Sequence, residues 1–197
     1  MSARKKQITP ADILPPAEYA KRRAAMRTEI VRKKKNRRIE VGPFATFYFE
    51  CYETMLQQVQ EMLHIEKGGE AKIADELYAY NPLIPKGQEL VATVMFEIDD
   101  PVRRANALGR LGGVEETMFI RIGDDKIKGD PEADQDRTNE QGKASSVQFV
   151  HFNFTPAQIA KFRTNDQMIV IGMEHPNYGH MAVMPPAVRQ ALSGDFS

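Results

Sequence analysis

The sequence predicts an α+β fold: a ferredoxin-like split βαβ sheet with an N-terminal helical extension packed on it. Residues 88 to 173 run strand, helix, strand, loop, strand, helix, strand, with period-two segments separated by helices that open on proline. Right-handed crossovers in that order put both helices on one face of the sheet. The front of the chain is rich in helix formers whose apolar stripes need a surface to lie on, and the sheet's other face needs a cover.

Each element has a local reason. Thr9 before Pro10 suits a helix start, and Pro15 and Pro16 restart it. From Ala17 to about Arg38, Tyr19, Ala20, Arg23, Met26, Ile30 and Val31 form a narrow stripe at three- and four-residue spacing. Arg38 to Val41 is short and extended, stopped by Gly42 and Pro43. Phe49, Tyr52, Leu56, Val59 and Leu63 then recur at the helical period, predicting a helix over Thr46 to Lys67 that ends at Gly68 and Gly69. A second face of that helix carries Glu50, Thr54, Gln57, Glu61 and His64 as one polar stripe. A further helix runs from about Ala71 to Tyr80, before Pro82.

From Gln88 to Ile98 the pattern alternates, which predicts a strand. Pro101 opens a helix to about Leu111, and Thr117 to Ile122 is a second strand. Gly123 to Lys143, with seven acidic and four basic residues, is too hydrophilic to build a core and reads as a long loop. Ser146 to Phe154 is apolar on both faces, as a covered central strand requires. Thr155 and Pro156 start a helix to about Arg163, and Gln167 to Met173 is another buried strand. A turn at Pro176 to Gly179, a short extended piece from Met181 to Met184 and a helix from Pro186 to Leu192 complete the chain. These elements divide it into a basic N-terminal helical region, 1–85, and an α+β sheet domain, 86–197, expected to form one integrated unit.

Composition narrows the function classes. The 197 residues contain 27 basic and 27 acidic side chains, yet residues 1 to 38 hold 13 basic and 3 acidic, a net +10 against −10 elsewhere. That split suits a basic arm for an anionic partner or an arm lying on its own acidic body. The run Arg32, Lys33, Lys34, Lys35, Asn36, Arg37, Arg38 has no interleaved aromatic residue, so nucleic acid is not the expected partner. No apolar run of eighteen residues and no signal segment occurs, so the expectation is a cytoplasmic protein with no membrane span. The lone Cys51, among apolar neighbours, is expected to be a buried, inert thiol.

Several groups could carry chemistry. His175 and His180, just past a buried strand, join His151 as candidate metal ligands for iron, zinc or copper. Glu61 and His64 form a single Glu-x-x-His element, whereas carboxylate-bridged di-iron bundles need two. Glu97, a mid-strand carboxylate, requires a partner if buried, and Arg103 or Arg104 is the expected ion-pair partner. Asp130, Glu132, Asp134 and Asp136 alternate like a calcium loop, but Pro131, Gln135 and Gln141 depart from one. No phosphate-cradling or nucleophile-elbow motif occurs. The candidate ligand-binding set is Glu50, Gln57, Glu61, Glu97, Arg104, His175 and Tyr178, expected at the junction of the helical region and the sheet.

The stretches QQVQEMLHIE at Gln57 to Glu66, YNPLIP at Tyr80 to Pro85, ATVMFEI with its following arginines, and HPNY at His175 to Tyr178 resemble a bacterial family of unknown function, domain of unknown function 3501. The resemblance covers most of the chain, although at His64 the family leads one to expect arginine. It brings no established fold, activity or catalytic residue. Members are often encoded beside a rubrerythrin and an iron-sulfur oxidoreductase, so the resemblance implies a cytoplasmic accessory to a redox or peroxide-defence system. The favoured expectation is a non-enzymatic protein that binds a redox protein partner or a small ligand, with a homo-oligomer also admissible. The alternatives are a metal-binding, redox-linked protein and a nucleic-acid binder acting through the basic helix.

Overall fold

The computed structural model describes residues 5–66, 71–133, 138–139, 142–164 and 166–197. Among them lie eight strands and six α-helices: α1 (Pro16–Lys35), β1 (Arg38–Val41), β2 (Ala45–Phe49), α2 (Tyr52–Glu66), α3 (Ala71–Tyr80), β3 (Glu89–Phe96), α4 (Pro101–Leu108), β4 (Met118–Ile122), β5 (Asp125–Pro131), β6 (Val147–Asn153), α5 (Pro156–Arg163), β7 (Ile169–His175), β8 (Tyr178–Val183) and α6 (Pro186–Ser193).

The ferredoxin-like expectation is overturned. All eight strands form one sheet in the order β1-β2-β3-β6-β5-β4-β7-β8, with every neighbouring pair antiparallel. The sheet curls until its first and last strands approach, giving a nearly closed barrel. Tyr178, at the start of β8, fastens the seam. Its hydroxyl donates to the Val41 carbonyl at 2.7 Å and accepts from the Ala45 and Phe44 amides at 3.0 and 3.2 Å. Gly42, in the β1–β2 turn, has φ +70°, and a Cβ there would sit 2.7 Å from the Tyr178 hydroxyl, so the turn requires glycine for both conformation and clearance.

Two segments changed the topology. Thr46 to Phe49 was expected in a helix, but Phe47 and Phe49 point into the barrel as part of β2, and α2 begins only at Tyr52. The helical spacing from Phe49 onward runs across this strand-to-helix boundary. Lys67, Gly68 and Gly69, expected to finish α2, lie outside the described residues. The acidic stretch is not one long loop: Asp125 to Pro131 forms β5, pairing with both β4 and β6. Asp134, Asp136, Gln135 and Gln141 of the calcium-like pattern also lie outside the described residues.

With β5 inserted between β4 and β6, α4 and α5 are not crossovers over one sheet face. They close opposite ends of the barrel, because they follow the antiparallel strands β3 and β6. Leu108 and Leu111 enter the interior cluster from the α4 end, and Ile159 and Phe162 enter from α5, joined by Val188, Leu192 and Phe196. The inward side chains of the strands, such as Leu90, Val94, Ile120, Phe152 and Ile171, fill the space between. A smaller cluster lies outside the barrel, where Ile8, Met55, Val59, Leu83 and Ile84 pack over Val91 of β3, with Phe149 of β6 beside them. The front helices therefore cover the outer face of β3 and β6, which places their polar junction between α1 and α2.

Candidate functional site

At that junction four side chains lock together. Glu61 accepts two hydrogen bonds from the Arg23 guanidinium, at 2.9 and 2.7 Å, and one from the Tyr19 hydroxyl at 2.5 Å. Gln57 donates to the Tyr19 oxygen at 2.6 Å and reaches Glu61 at 3.2 Å. The Arg23 fork, with the Tyr19 hydrogen bond, holds the Glu61 carboxyl down at about 2. Burial, with the negative Glu61 beside it, pushes the Tyr19 phenol up to about 12. Neither group changes protonation near neutrality, so this network is a fastening and not an acid–base pair.

Two side-chain amides hold the segment ahead of α1 as a strap. Asn81 accepts from the Ile8 amide at 2.7 Å and donates to the Ile8 carbonyl at 3.0 Å. Gln60 accepts from the Leu14 amide at 2.7 Å, with its own NH2 3.5 Å from the Leu14 carbonyl. Between these points Asp12 accepts from the Thr9 amide and hydroxyl at 2.9 and 2.8 Å, closing a turn over Pro10–Asp12. The strap, α2 and α3 enclose a cleft of about 530 Å3. Its walls include Ile13, Leu14, Leu63 and Ile73, with Tyr19, Gln60 and His64 as the polar contributors. The His64 ring meets Tyr19 edge-on, with centroids 5.7 Å apart.

The seven candidate ligand-binding residues fall in five places. Gln57 and Glu61 share the network beneath the cleft. Glu50, buried between β2 and α2, accepts from Thr54 at 2.6 Å and Thr93 at 2.7 Å. Glu97 is exposed and forms no ion pair with Arg103 or Arg104 among the described residues; Thr46 and Tyr48 each donate to it at 2.7 Å. Glu97 is not mid-strand but one residue past the end of β3, tied beside β2 by its amide, which donates to the Phe44 carbonyl at 2.7 Å, whereas Arg104 turns to the Ile98 carbonyl at 3.0 Å. His175 and Tyr178 share the β7–β8 turn. There His175 accepts from the Asn177 amide at 3.2 Å through Nδ1, leaving Nε2 to donate to the Gly112 carbonyl at 3.2 Å. Burial pushes the Tyr178 phenol up.

The three candidate metal ligands sit on different strands: His151 on β6, His175 on β7 and His180 on β8. Among the described residues no group of three or more His, Cys, Asp or Glu side chains is arranged to hold a metal ion. His151 is instead sandwiched, Nδ1 3.0 Å from Glu89 and Nε2 3.0 Å from Glu132. Carboxylates on the two ring nitrogens lie on opposite sides of the imidazole, so they do not converge on one ion. Burial opposes its charge, but hydrogen bonds and attraction from Glu89 and Glu132 prevail and raise its pKa. His180 is exposed against the Tyr178 ring, centroids 4.6 Å apart. Cys51 is buried, and burial pushes its thiol up.

Sequence reasoning missed Asn81 and Gln60 as clamps, although both lie in the quoted family stretches. It also missed the Glu89 and Glu132 partners of His151. A side-chain amide that grips a distant peptide leaves no periodic signal.

The fold and site define a small antiparallel barrel with an outer helical cover and an apolar cleft under an amide-clamped strap. No helix among the described residues is long and apolar enough to cross a membrane. The chain belongs to the family DUF3501, proteins of unknown function, which its residues 7–196 match. It is similar to a crystal structure described as a novel protein of unknown function from Burkholderia pseudomallei K96243, with 34% identity and a TM-score of 0.89. That likeness covers 97% of this chain and 100% of the other. No curated protein matches.

Proposed function

We propose that the protein is a non-catalytic binding protein that takes the apolar part of a small organic ligand into the cleft beneath the strap. The observation that carries this reading is the cleft itself, about 530 Å3 and mostly apolar, with His64, Gln60 and Tyr19 on its wall and the Glu61–Arg23–Gln57 network holding Tyr19 from behind. Concave, mostly apolar sites with a few fixed polar groups are the usual form of small-molecule sites. The two amide clamps hold the strap in place before a ligand arrives, which lowers the ordering cost of binding. In the redox context that the family resemblance implies, the electron chemistry would belong to a partner, because the single thiol, Cys51, is withdrawn from solvent.

Titration with the neutral fluorophore Nile red tests this reading. The expected result is saturable one-to-one binding that Ala74→Trp, which fills the cleft from α3, weakens about tenfold. Met181→Ala, on the opposite side of the barrel, is expected to bind as the parent does. Absence of saturable binding, or an Ala74→Trp protein that binds undiminished, would overturn the reading.

A further inference from the structure

At the α4 end of the barrel lies a second cavity, about 410 Å3, whose chemistry is the reverse of the apolar cleft. One wall is a single face of α4: Pro101, Arg104, Ala105 and Leu108 recur at the i, i+3, i+4, i+7 spacing. The other wall is the segment that leads into β6, with Lys143, Ala144, Ser145 and Ser146, and Asn139 beside it. The Ala144 amide donates to the Leu108 carbonyl at 3.0 Å, which ties the two walls together, and the Phe96 amide donates to the Ser146 carbonyl at 2.8 Å, which ties the second wall to β3. Thr138 is pinned as well, donating to the buried Glu115 at 3.0 Å and accepting from the Gly113 amide at 3.2 Å.

We propose that this cavity is an anion site for the phosphoryl group of a small phosphate monoester. Arg104 and Lys143 bring one positive charge from each wall, and neither forms an ion pair with a described residue. Among the described residues no carboxylate lines the cavity, while Ser145, Ser146 and Asn139 add hydroxyl and amide groups. A tetrahedral oxyanion takes several donors at once, and a guanidinium with an ammonium opposite supplies the charge-assisted ones. Ala105, Leu108 and Ala144 leave an apolar strip for the organic part. The site shares no lining residue with the cleft, so the two proposals stand or fall separately.

Calorimetric titration at low ionic strength with glycerol 3-phosphate, and with glycerate as the carboxylate counterpart, tests the proposal. Saturable binding of the phosphate ester is expected, with glycerate about tenfold weaker. Arg104→Gln combined with Lys143→Gln is expected to weaken binding about tenfold or more. Ala105→Glu places a carboxylate on the wall without removing the Arg104 contact to Ile98, and is expected to abolish binding while its denaturation midpoint stays that of the parent. Should the double variant not fold, Ala105→Glu alone decides. The proposal is overturned if the parent does not saturate at millimolar ester, if glycerate binds as tightly, or if Ala105→Glu binds like the parent.

Discussion

On the outer face of β3 and β6, Val91 and Phe149 pack under α2. On the outer face of β4, β5 and β8, Arg121, Lys126, Lys128, Met181 and Val183 lie outward and most of them meet solvent, with Phe119 buried among them beneath Lys126. The same barrel thus carries a covered face and a bare one. The cover is not held by a broad apolar helix surface. In α1 only Tyr19 is buried, and in α3 no residue is, so most of the apolar contact comes from α2, the strap and the Leu83–Ile84 segment after α3. What fixes α1 is a small number of charged anchors: Arg23 on Glu61, Lys33 on Glu53 at 2.5 Å, and Arg37 just beyond its end. The basic front of the chain therefore docks on its own body at these points, while Lys21, Arg32 and Lys35 remain exposed.

If the cover depends on few anchors, removing the most buried one should cost most. Arg37 is 3% exposed and donates to Asp195 at 2.5 Å, to the Phe49 carbonyl at 2.9 Å and to the Glu50 carbonyl at 2.8 Å. It joins the end of α1, the β2–α2 link and the C-terminal segment. Arg37→Ala leaves a buried carboxylate and two carbonyls without that donor, so a loss of about 3–5 kcal/mol is expected in equilibrium denaturation. A loss below about 1 kcal/mol would show that the covered face does not rely on this anchor.

The second anchor is less buried and should show itself through pH. Glu61 holds its folded pKa at about 2, below the ordinary 4.5. Its contribution is therefore complete above about 4.5 and is lost as the pH falls toward 2. Glu61→Gln keeps the side chain's shape but removes the charge, and a deficit of about 1–2 kcal/mol is expected at pH 7. Denaturation of parent and variant between pH 7 and pH 3 should show that deficit shrinking with acid. A deficit that stays constant across the range would mean that the ion pair with Arg23 is not its source.

The contrast between the faces also explains what could be read from the chain. Strands β3, β4, β6 and β7 were legible because their apolar residues alternate or run continuously, and α4 and α5 because a capping residue and a proline open each of them. In α5 the Thr155 hydroxyl accepts from the Gln158 amide, as the cap requires. β5 was illegible: Ile127 is its only inward aliphatic side chain, its next inward position is Gly129, and its outward positions are the charged residues of the bare face. β2 was illegible for the opposite reason, since its aromatic residues run without a break into the helical spacing of α2. Missing those two strands turned an antiparallel barrel into an expected crossover sheet. At the site, Gln57 and Glu61 were legible from the polar stripe, but the Asn81 and Gln60 clamps join residues 73 and 46 positions apart, a distance over which local pattern carries no information.

The smallest expected effect belongs to the bare face. Lys126 pairs with Glu174 across the barrel surface, with 46% and 57% of the two side chains exposed, and its ammonium lies 4.8 Å from the Phe119 ring centroid. Exposed pairs of this kind lose in side-chain entropy and screening most of what they gain in attraction. Lys126→Met keeps an aliphatic stem over Phe119 while removing the charge, so a change within about 0.5 kcal/mol is expected, and it should not depend on salt. A loss several times larger that high salt removes would mean that the pair is shielded from water, and the face opposite the helical cover would then have to be treated as an electrostatically built surface in its own right.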